Sequence, residues 1–83
     1  MAKDIKPKSK IEWEIVKLVK EKRTSLKISQ AKIADLFGVT PGYIGQVEME
    51  LSGSMYTYDQ LNKLAKYLGC SLKDFMPQEP VDE

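Results

Sequence analysis

The chain has no histidine and a single cysteine, Cys70, among its 83 residues. A zinc site needs several cysteine or histidine ligands, and a Ser-His or Cys-His catalytic pair needs an imidazole, so the sequence argues against both. One cysteine also excludes a disulfide within the chain, which fits a reducing cytoplasm. We therefore expect a cytoplasmic protein with no metal, no cofactor and no enzymatic activity.

Long apolar runs are also missing. No stretch approaches the roughly 18 apolar residues of a membrane helix, and no apolar segment follows the Lys-rich start as it does in a secretory signal. The sequence has no convincing period-2 run and no hairpin turn signal, so strands are not expected. A hydrophobic share of 42% is enough for one small core. These features predict one all-α domain with no membrane contact.

The net charge of +1 conceals an uneven distribution. Residues 1–27 hold nine lysines and arginines against four acids, whereas residues 76–83 hold three acids and no base. Such a basic end can face a polyanion, or it can be a solvated Lys-rich start, and charge alone leaves both interpretations open. We expect residues 1–8 to be a flexible basic arm, residues 9–77 the folded domain and residues 78–83 a disordered acidic tail.

Capping signals divide the predicted domain into five helices. Three capping boxes mark helix starts, namely Ser9 with Glu12, Thr57 with Gln60 and Ser71 with Asp74. Two glycines, Gly38 and Gly69, stand where helices end in a left-handed residue. The predicted helices cover residues 10–23, 30–37, 41–49 and 58–68, with a short fifth helix between Ser71 and Pro77.

Residues 30–47 have the most informative spacing. Two short helices are joined by a turn of about three residues that begins with Gly38, and Thr40 followed by Pro41 is a strong helix start. Ala34 is small where a larger side chain would push the second helix away. This layout predicts a helix-turn-helix, which projects the start of its second helix so that it can enter a DNA major groove.

A family resemblance is carried by five residues of this segment: Gln30, Ala34, Gly38, Ile44 and Val47. Together with the run at 61–75, they resemble the phage-repressor/Cro (XRE-like) helix-turn-helix family over about residues 10–76. The resemblance implies a compact five-helix lambda-repressor-like domain that binds operator DNA, usually as a dimer. It also implies that Gln30 contacts phosphate and braces the recognition helix, and that Arg23 and Glu48 form a buried ion pair.

The resemblance places the start of the third helix in the groove, with five contact residues: Thr40, Pro41, Gly42, Tyr43 and Gln46. The carboxamide of Gln46 can pair with adenine N6 and N7, so Gln46 is either the base-reading residue or a solvated glutamine. Tyr43 either meets a phosphate or a thymine methyl, or packs in part against the domain. Gly42 and Gly45 either permit a close approach of the backbone to DNA or merely weaken the helix.

Two departures from the family pattern concern charge. No lysine or arginine occurs between Ile33 and Asn62, and the loop after the third helix lacks the family's basic residues and is about two residues longer. Phosphate contacts are therefore expected from backbone N–H groups and hydroxyls of Ser52, Gly53, Ser54, Tyr56 or Tyr58. The positive charge must come from elsewhere, and its candidates are Lys3, Lys6, Lys8, Lys10, Lys27 and Lys32, with an arm at 3–10 predicted to wrap the duplex.

The sequence thus predicts a sequence-specific, double-stranded-DNA-binding transcriptional regulator, with a repressor acting as a dimer on a palindromic operator as the favoured form. The dimer candidates, for which core packing is the other interpretation, are Met55, Tyr56, Tyr58, Phe75 and Met76. The alternative function is an antitoxin that binds a toxin and regulates its own operator. A co-purifying protein partner would favour the antitoxin over the repressor.

Overall fold

The computed structural model describes residues 6–82. Four α-helices follow one another, namely α1 (Lys10–Ser25), α2 (Gln30–Phe37), α3 (Pro41–Val47) and α4 (Tyr58–Leu68), and a 3₁₀ helix (Leu72–Phe75) comes last. Residues 6–82 contain no strand, so the predicted all-α class is confirmed. None of the helices described is both long and apolar enough to cross a membrane.

Local capping residues set the helix ends, as the sequence predicts. Both capping boxes of the long helices are formed, Ser9 with Glu12 at α1 and Thr57 with Gln60 at α4. Gly38 and Gly69 end α2 and α4 with φ of 69° and 71°, in the left-handed region where any L side chain is strained. As a result α2 and α4 have the predicted bounds.

Three predicted helices differ from the structure. The expected fifth α-helix is a 3₁₀ helix of four residues, because Met76 has already returned to extended backbone before Pro77. The five-helix expectation is therefore corrected to four α-helices and one 3₁₀ helix. The third helix ends at Val47 rather than at residue 49, and α1 continues to Ser25 rather than ending at residue 23.

One hydrophobic core receives side chains from every helix. Its fully buried members are Val16, Val19, Ile33, Ile44, Val47, Leu64 and Phe75. In α1 the buried face runs through Ile15, Val16 and Val19, whereas Leu18, which the helical spacing predicts to point inward, is only half-buried. The core thus fixes α2 and α3 to α1 through their inner faces.

Two of the five candidate dimer residues belong to this core. Phe75 is fully buried, and Tyr56 is buried with its ring edge-on to Phe37 at 6.1 Å between centroids. Core packing is therefore the correct interpretation for both. By contrast, Tyr58 is 86% exposed and Met76 is exposed as well.

Candidate nucleic-acid interface

The turn between α2 and α3 occupies residues 38–40. The Gly38 N–H donates to the Asp35 carbonyl at 3.2 Å, and the Val39 N–H donates to the Ala34 carbonyl at 3.0 Å. These bonds close the end of α2 and reverse the chain direction. Because Ala34 and Ile44 are both buried in the shared core, α3 presents its opposite face outward.

The start of α3 projects into solvent. The Thr40 hydroxyl accepts a hydrogen bond from the Tyr43 N–H at 3.3 Å, and Pro41 occupies the first helical position. Thr40, Pro41, Gly42 and Gln46 are all exposed, so four of the five predicted groove residues share an accessible face. This geometry leaves room for a groove contact through the first turn of the helix.

Tyr43, the fifth predicted groove residue, is half-buried. Its hydroxyl donates to the Met55 carbonyl at 3.0 Å. Partial packing is therefore its role in the free protein, where it ties α3 to the loop at 48–57.

A buried ion pair locks the end of α3 to α1. The Arg23 guanidinium donates to both carboxylate oxygens of Glu48, through Nε at 2.9 Å and Nη2 at 2.9 Å. Its Nη1 donates to the Ile28 carbonyl at 2.7 Å. Both side chains are buried, so this two-point bond holds its geometry without competition from water. The ion pair implied by the resemblance is confirmed, and it makes Arg23 structural.

Gln30 braces the same carboxylate from the start of α2. Its Nε2 donates to Glu48 Oε1 at 2.9 Å. The amide thereby links the first residue of α2 to the residue that ends α3. The bracing role of Gln30 is confirmed, whereas its phosphate contact stays a prediction.

Lys8 lies inside the molecule instead of on an arm. Its amine donates to the carbonyls of Met49 and Ser52, each at 2.7 Å, and of Gln46 at 3.4 Å. The residue is only 7% exposed, and burial lowers the pKa of its amine from the ordinary value while the Glu12 carboxylate opposes that shift. These bonds place Lys8 in the folded domain rather than on a flexible arm, and its phosphate contact stays a prediction.

The backbone around Lys8 also packs on the loop after α3. The Lys8 N–H donates to the Glu50 carbonyl at 3.2 Å. A Cβ added to Gly53 would lie 2.7 Å from the Lys6 carbonyl oxygen, so glycine is required for this approach. Ser52 and Ser54 are half-buried in the same loop, where the Ser54 N–H donates to the Ser52 hydroxyl at 3.2 Å.

The remaining candidate cations within residues 6–82 are exposed, and one of them, Lys32, belongs to α2. Lys6 precedes α1 and Lys10 is the first residue of α1, and both are exposed. Lys27 precedes α2 and Lys32 is the third residue of α2, and both are exposed as well. Lys3 and the first part of the predicted arm lie outside the described residues. Since the charge of Glu48 is compensated by Arg23, the region between α2 and α4 is less acidic in effect than its sequence suggests.

One buried hydroxyl lies beside the ion pair. Tyr56 Oη has no hydrogen-bond partner among residues 6–82. Burial raises the pKa of this phenol, and Glu48 adds to that shift while Arg23 opposes it. No group of three side chains within residues 6–82 could hold a metal ion.

Sequence reasoning did not find the roles of Lys8 and Tyr56. The Lys8 contacts join residues 38 to 44 positions apart in the chain, so no local pattern signals them. Glu48, by contrast, was found through the family resemblance.

Comparison with known proteins places the chain among helix-turn-helix proteins. The helix-turn-helix family model HTH_3 matches residues 19–75, which is more than half of the chain. Comparison with curated proteins gives no match.

Solved structures with a similar fold include hydroxypropylphosphonic acid epoxidase. The enzyme from S. wedmorenis in complex with fosfomycin is 29% identical, with a TM-score of 0.69 over 83% of this chain and 36% of that chain. Cobalt(II) HppE in complex with substrate is 30% identical, with a TM-score of 0.68 over 81% of this chain and 36% of that chain. Apo-HppE gives the same identity, coverage and TM-score.

This chain spans about a third of the length of those enzymes, so the similarity concerns only that portion of them. The family model, in contrast, covers the complete pair α2–α3 and continues through the 3₁₀ helix. The chain belongs to the XRE-like helix-turn-helix family, a family of DNA-binding transcription regulators.

Proposed function

We propose that the chain is a sequence-specific regulator that binds double-stranded DNA as a dimer on a palindromic operator and represses transcription. The observation that carries the proposal is the exposed first turn of α3 on a helix whose other end is locked by the Arg23–Glu48 pair. A rigidly held helix can present side chains to base edges in one fixed orientation. Two symmetric half-sites are needed because a single domain contacts few base pairs.

The proposed contacts divide into base readout and phosphate positioning. Gln46 reads an adenine through its carboxamide, while Thr40, Pro41 and Gly42 line the groove and Tyr43 lies at its edge. The phosphate contacts come from donors on both sides of α3, namely Gln30, Ser52, Ser54, Lys6 and Lys10. For Gln30, the second hydrogen of the amide is directed at phosphate while the first holds Glu48.

Selection of duplexes from a random pool, followed by binding titrations at several salt concentrations, tests the function. We expect the selected operator to bind on the order of 10³-fold more tightly than random duplex, with two protein chains per palindrome. Equal affinity for all duplexes would contradict the proposal. Sedimentation of the complex measures the number of chains directly.

A second candidate function follows from the similarity to the epoxidase structures. In this alternative the domain is the helical part of a larger enzyme and has no operator of its own. The same selection distinguishes the two, because the alternative predicts that no duplex is enriched. The antitoxin alternative predicts instead that a protein partner co-purifies with the chain.

A further inference from the structure

The chain segment at residues 6–9 is attached to the end of α3 and the following loop at several points. The Lys8 amine donates to three carbonyl oxygens, and the Lys8 N–H donates to a fourth, that of Glu50. The Lys6 carbonyl packs directly on Gly53, where no Cβ would fit. Ser9, which directly follows Lys8, caps α1. The segment therefore fastens the start of α1 to the end of α3.

The end of α3 has no glycine cap. The helix has only seven residues, and its C-cap is Glu48, with φ of −84°, rather than a left-handed glycine. Carbonyl groups in the last turn of a helix have no partner within the helix. The Lys8 amine donates to one carbonyl of this turn, that of Gln46 at 3.4 Å, and to the Met49 and Ser52 carbonyls in the loop that follows. Its positive charge is favourable at the negative end of the helix dipole.

The acceptor carbonyls belong to functional segments. One is the main-chain carbonyl of Gln46, whose side chain is the proposed base reader, and another is that of Ser52, a proposed phosphate contact. A single amine thus joins the recognition helix to the loop that is proposed to hold the phosphate backbone. Its ammonium group suits this task because it has three donors.

We propose that Lys8 is a positioning residue for DNA recognition, and that its amine sets the relative orientation of Gln46 and the loop at 49–53 without touching DNA. The inference rests on the proposed function. It reverses the assignment that the sequence suggests, in which Lys8 neutralises a phosphate. Lys6, two residues earlier and exposed, keeps the phosphate role and provides a matched comparison.

The test compares Lys8→Met with Lys6→Met on the selected operator and on random duplex over a range of salt concentrations. For Lys8→Met we expect operator affinity to fall about tenfold or more, as for loss of about 1.4 kcal/mol, with an unchanged salt slope because no phosphate contact is lost. For Lys6→Met we expect a uniform loss on every duplex and a salt slope smaller by about 1. A smaller salt slope for Lys8→Met would overturn the proposal, as would unchanged operator affinity.

Amide hydrogen exchange of the DNA-free protein separates this inference from the proposed function. In Lys8→Met the Met49 and Ser52 N–H groups should exchange faster, while the centres of α1 and α4 exchange as in the wild type. This readout holds whether or not an operator is found. Unchanged exchange at both amides would overturn the positioning role.

Gly53→Ala provides the second variant if Lys8→Met does not fold. The added methyl group displaces the backbone of the segment at residues 6–9 from the loop, while position 8 remains a lysine. For Gly53→Ala we expect the same faster exchange at the loop amides and the same selective loss of operator affinity. In a separate variant, Lys8→Arg, both effects should be smaller than in Lys8→Met. A Gly53→Ala protein with wild-type exchange and affinity would contradict the inference.

Discussion

Gly42 and Gly45 are the two glycines of α3, and each has space around it for a side chain. An added Cβ at Gly42 would meet nothing nearer than the Thr40 hydroxyl at 3.8 Å, and one at Gly45 nothing nearer than Gln30 Oε1 at 3.8 Å. Neither glycine has a left-handed φ, since the positive-φ glycines of the described chain are Gly38 and Gly69. Folding therefore does not require glycine at either position.

Gly42→Ala should accordingly stabilise the free protein and weaken operator binding. Alanine raises helix propensity by up to about 1 kcal/mol, whereas a methyl group on the exposed first turn keeps the backbone away from DNA. Thermal unfolding and operator titration measure the two effects. Gly45→Ala, on the side facing Gln30, is the control, and equal operator affinity for Gly42→Ala and wild type would show that Gly42 only weakens the helix.

Tyr56 gives a prediction for alkaline pH. Its pKa is raised above the ordinary 10.0 by burial and by Glu48, so the folded protein keeps a proton that the unfolded chain releases near pH 10. The unfolded state then binds fewer protons, and the free energy of unfolding falls as pH rises above 10. In Tyr56→Phe this fall should be shallower, because the buried group that resists ionisation is absent.

Urea unfolding between pH 7 and 11 measures the effect. At pH 7 Tyr56→Phe should be as stable as the wild type or more stable by about 1 kcal/mol, since it removes a hydroxyl without a partner among the described residues. Tyr58→Phe removes an exposed hydroxyl and is the matched control. Parallel stability curves for Tyr56→Phe and wild type would contradict the explanation.

At the scale of elements, the Arg23–Glu48 pair holds α1, α2 and α3 together. Glu48→Ala leaves the Arg23 guanidinium buried without its carboxylate and removes the acceptor of Gln30. We expect a loss of about 3–5 kcal/mol in the free energy of unfolding. Denaturant unfolding measures this loss, and replacing Arg23 and Glu48 together by methionine should recover much of it.

An exposed ion pair within α1 is the control for this prediction. Glu14 and Lys17 are 3.0 Å apart with side chains 39% and 43% exposed. Glu14→Ala should therefore cost less than about 1 kcal/mol. Similar losses in the free energy of unfolding for Glu14→Ala and Glu48→Ala would show that burial does not make the Arg23–Glu48 pair more important for stability.

Signals within a few residues of one another predicted the elements well. Thr57 with Gln60 and the left-handed Gly69 define α4, and Ser29 and Gly38 define α2, because each end depends on local hydrogen bonds. The end of α3 was predicted two residues too late, because its C-cap is Glu48 and no glycine marks the position. A capping signal also cannot distinguish one turn of 3₁₀ helix from a short α-helix, so the prediction of a fifth α-helix was wrong.

The candidate site was predictable where the family pattern reaches. The exposed first turn of α3 and the buried Arg23–Glu48 pair follow from it. The side-chain orientation of Lys8 does not, because a lysine beside a proline at a chain start has no apolar periodicity to report its burial. Tyr43 lay between two interpretations, and its bond to the Met55 carbonyl decides for packing in the free protein.

For the molecule as a whole, charge sets how DNA is held. The net charge is only +1, and α3 itself carries no lysine or arginine. Because phosphate neutralisation dominates non-specific binding, we expect weak binding to random duplex. In the proposed function, base readout and the pairing of two half-sites would supply most of the preference for an operator.

The most direct test of the recognition surface is operator binding by Gln46→Ala, measured against a set of duplexes that each change one base pair. Gln78→Ala truncates an exposed carboxamide in the segment after the 3₁₀ helix and is the control. We expect Gln46→Ala to lose about 1–3 kcal/mol of discrimination at one base position and none elsewhere, while Gln78→Ala binds as the wild type does. Equal weakening by Gln46→Ala on every duplex, or no weakening at all, would contradict base reading by α3.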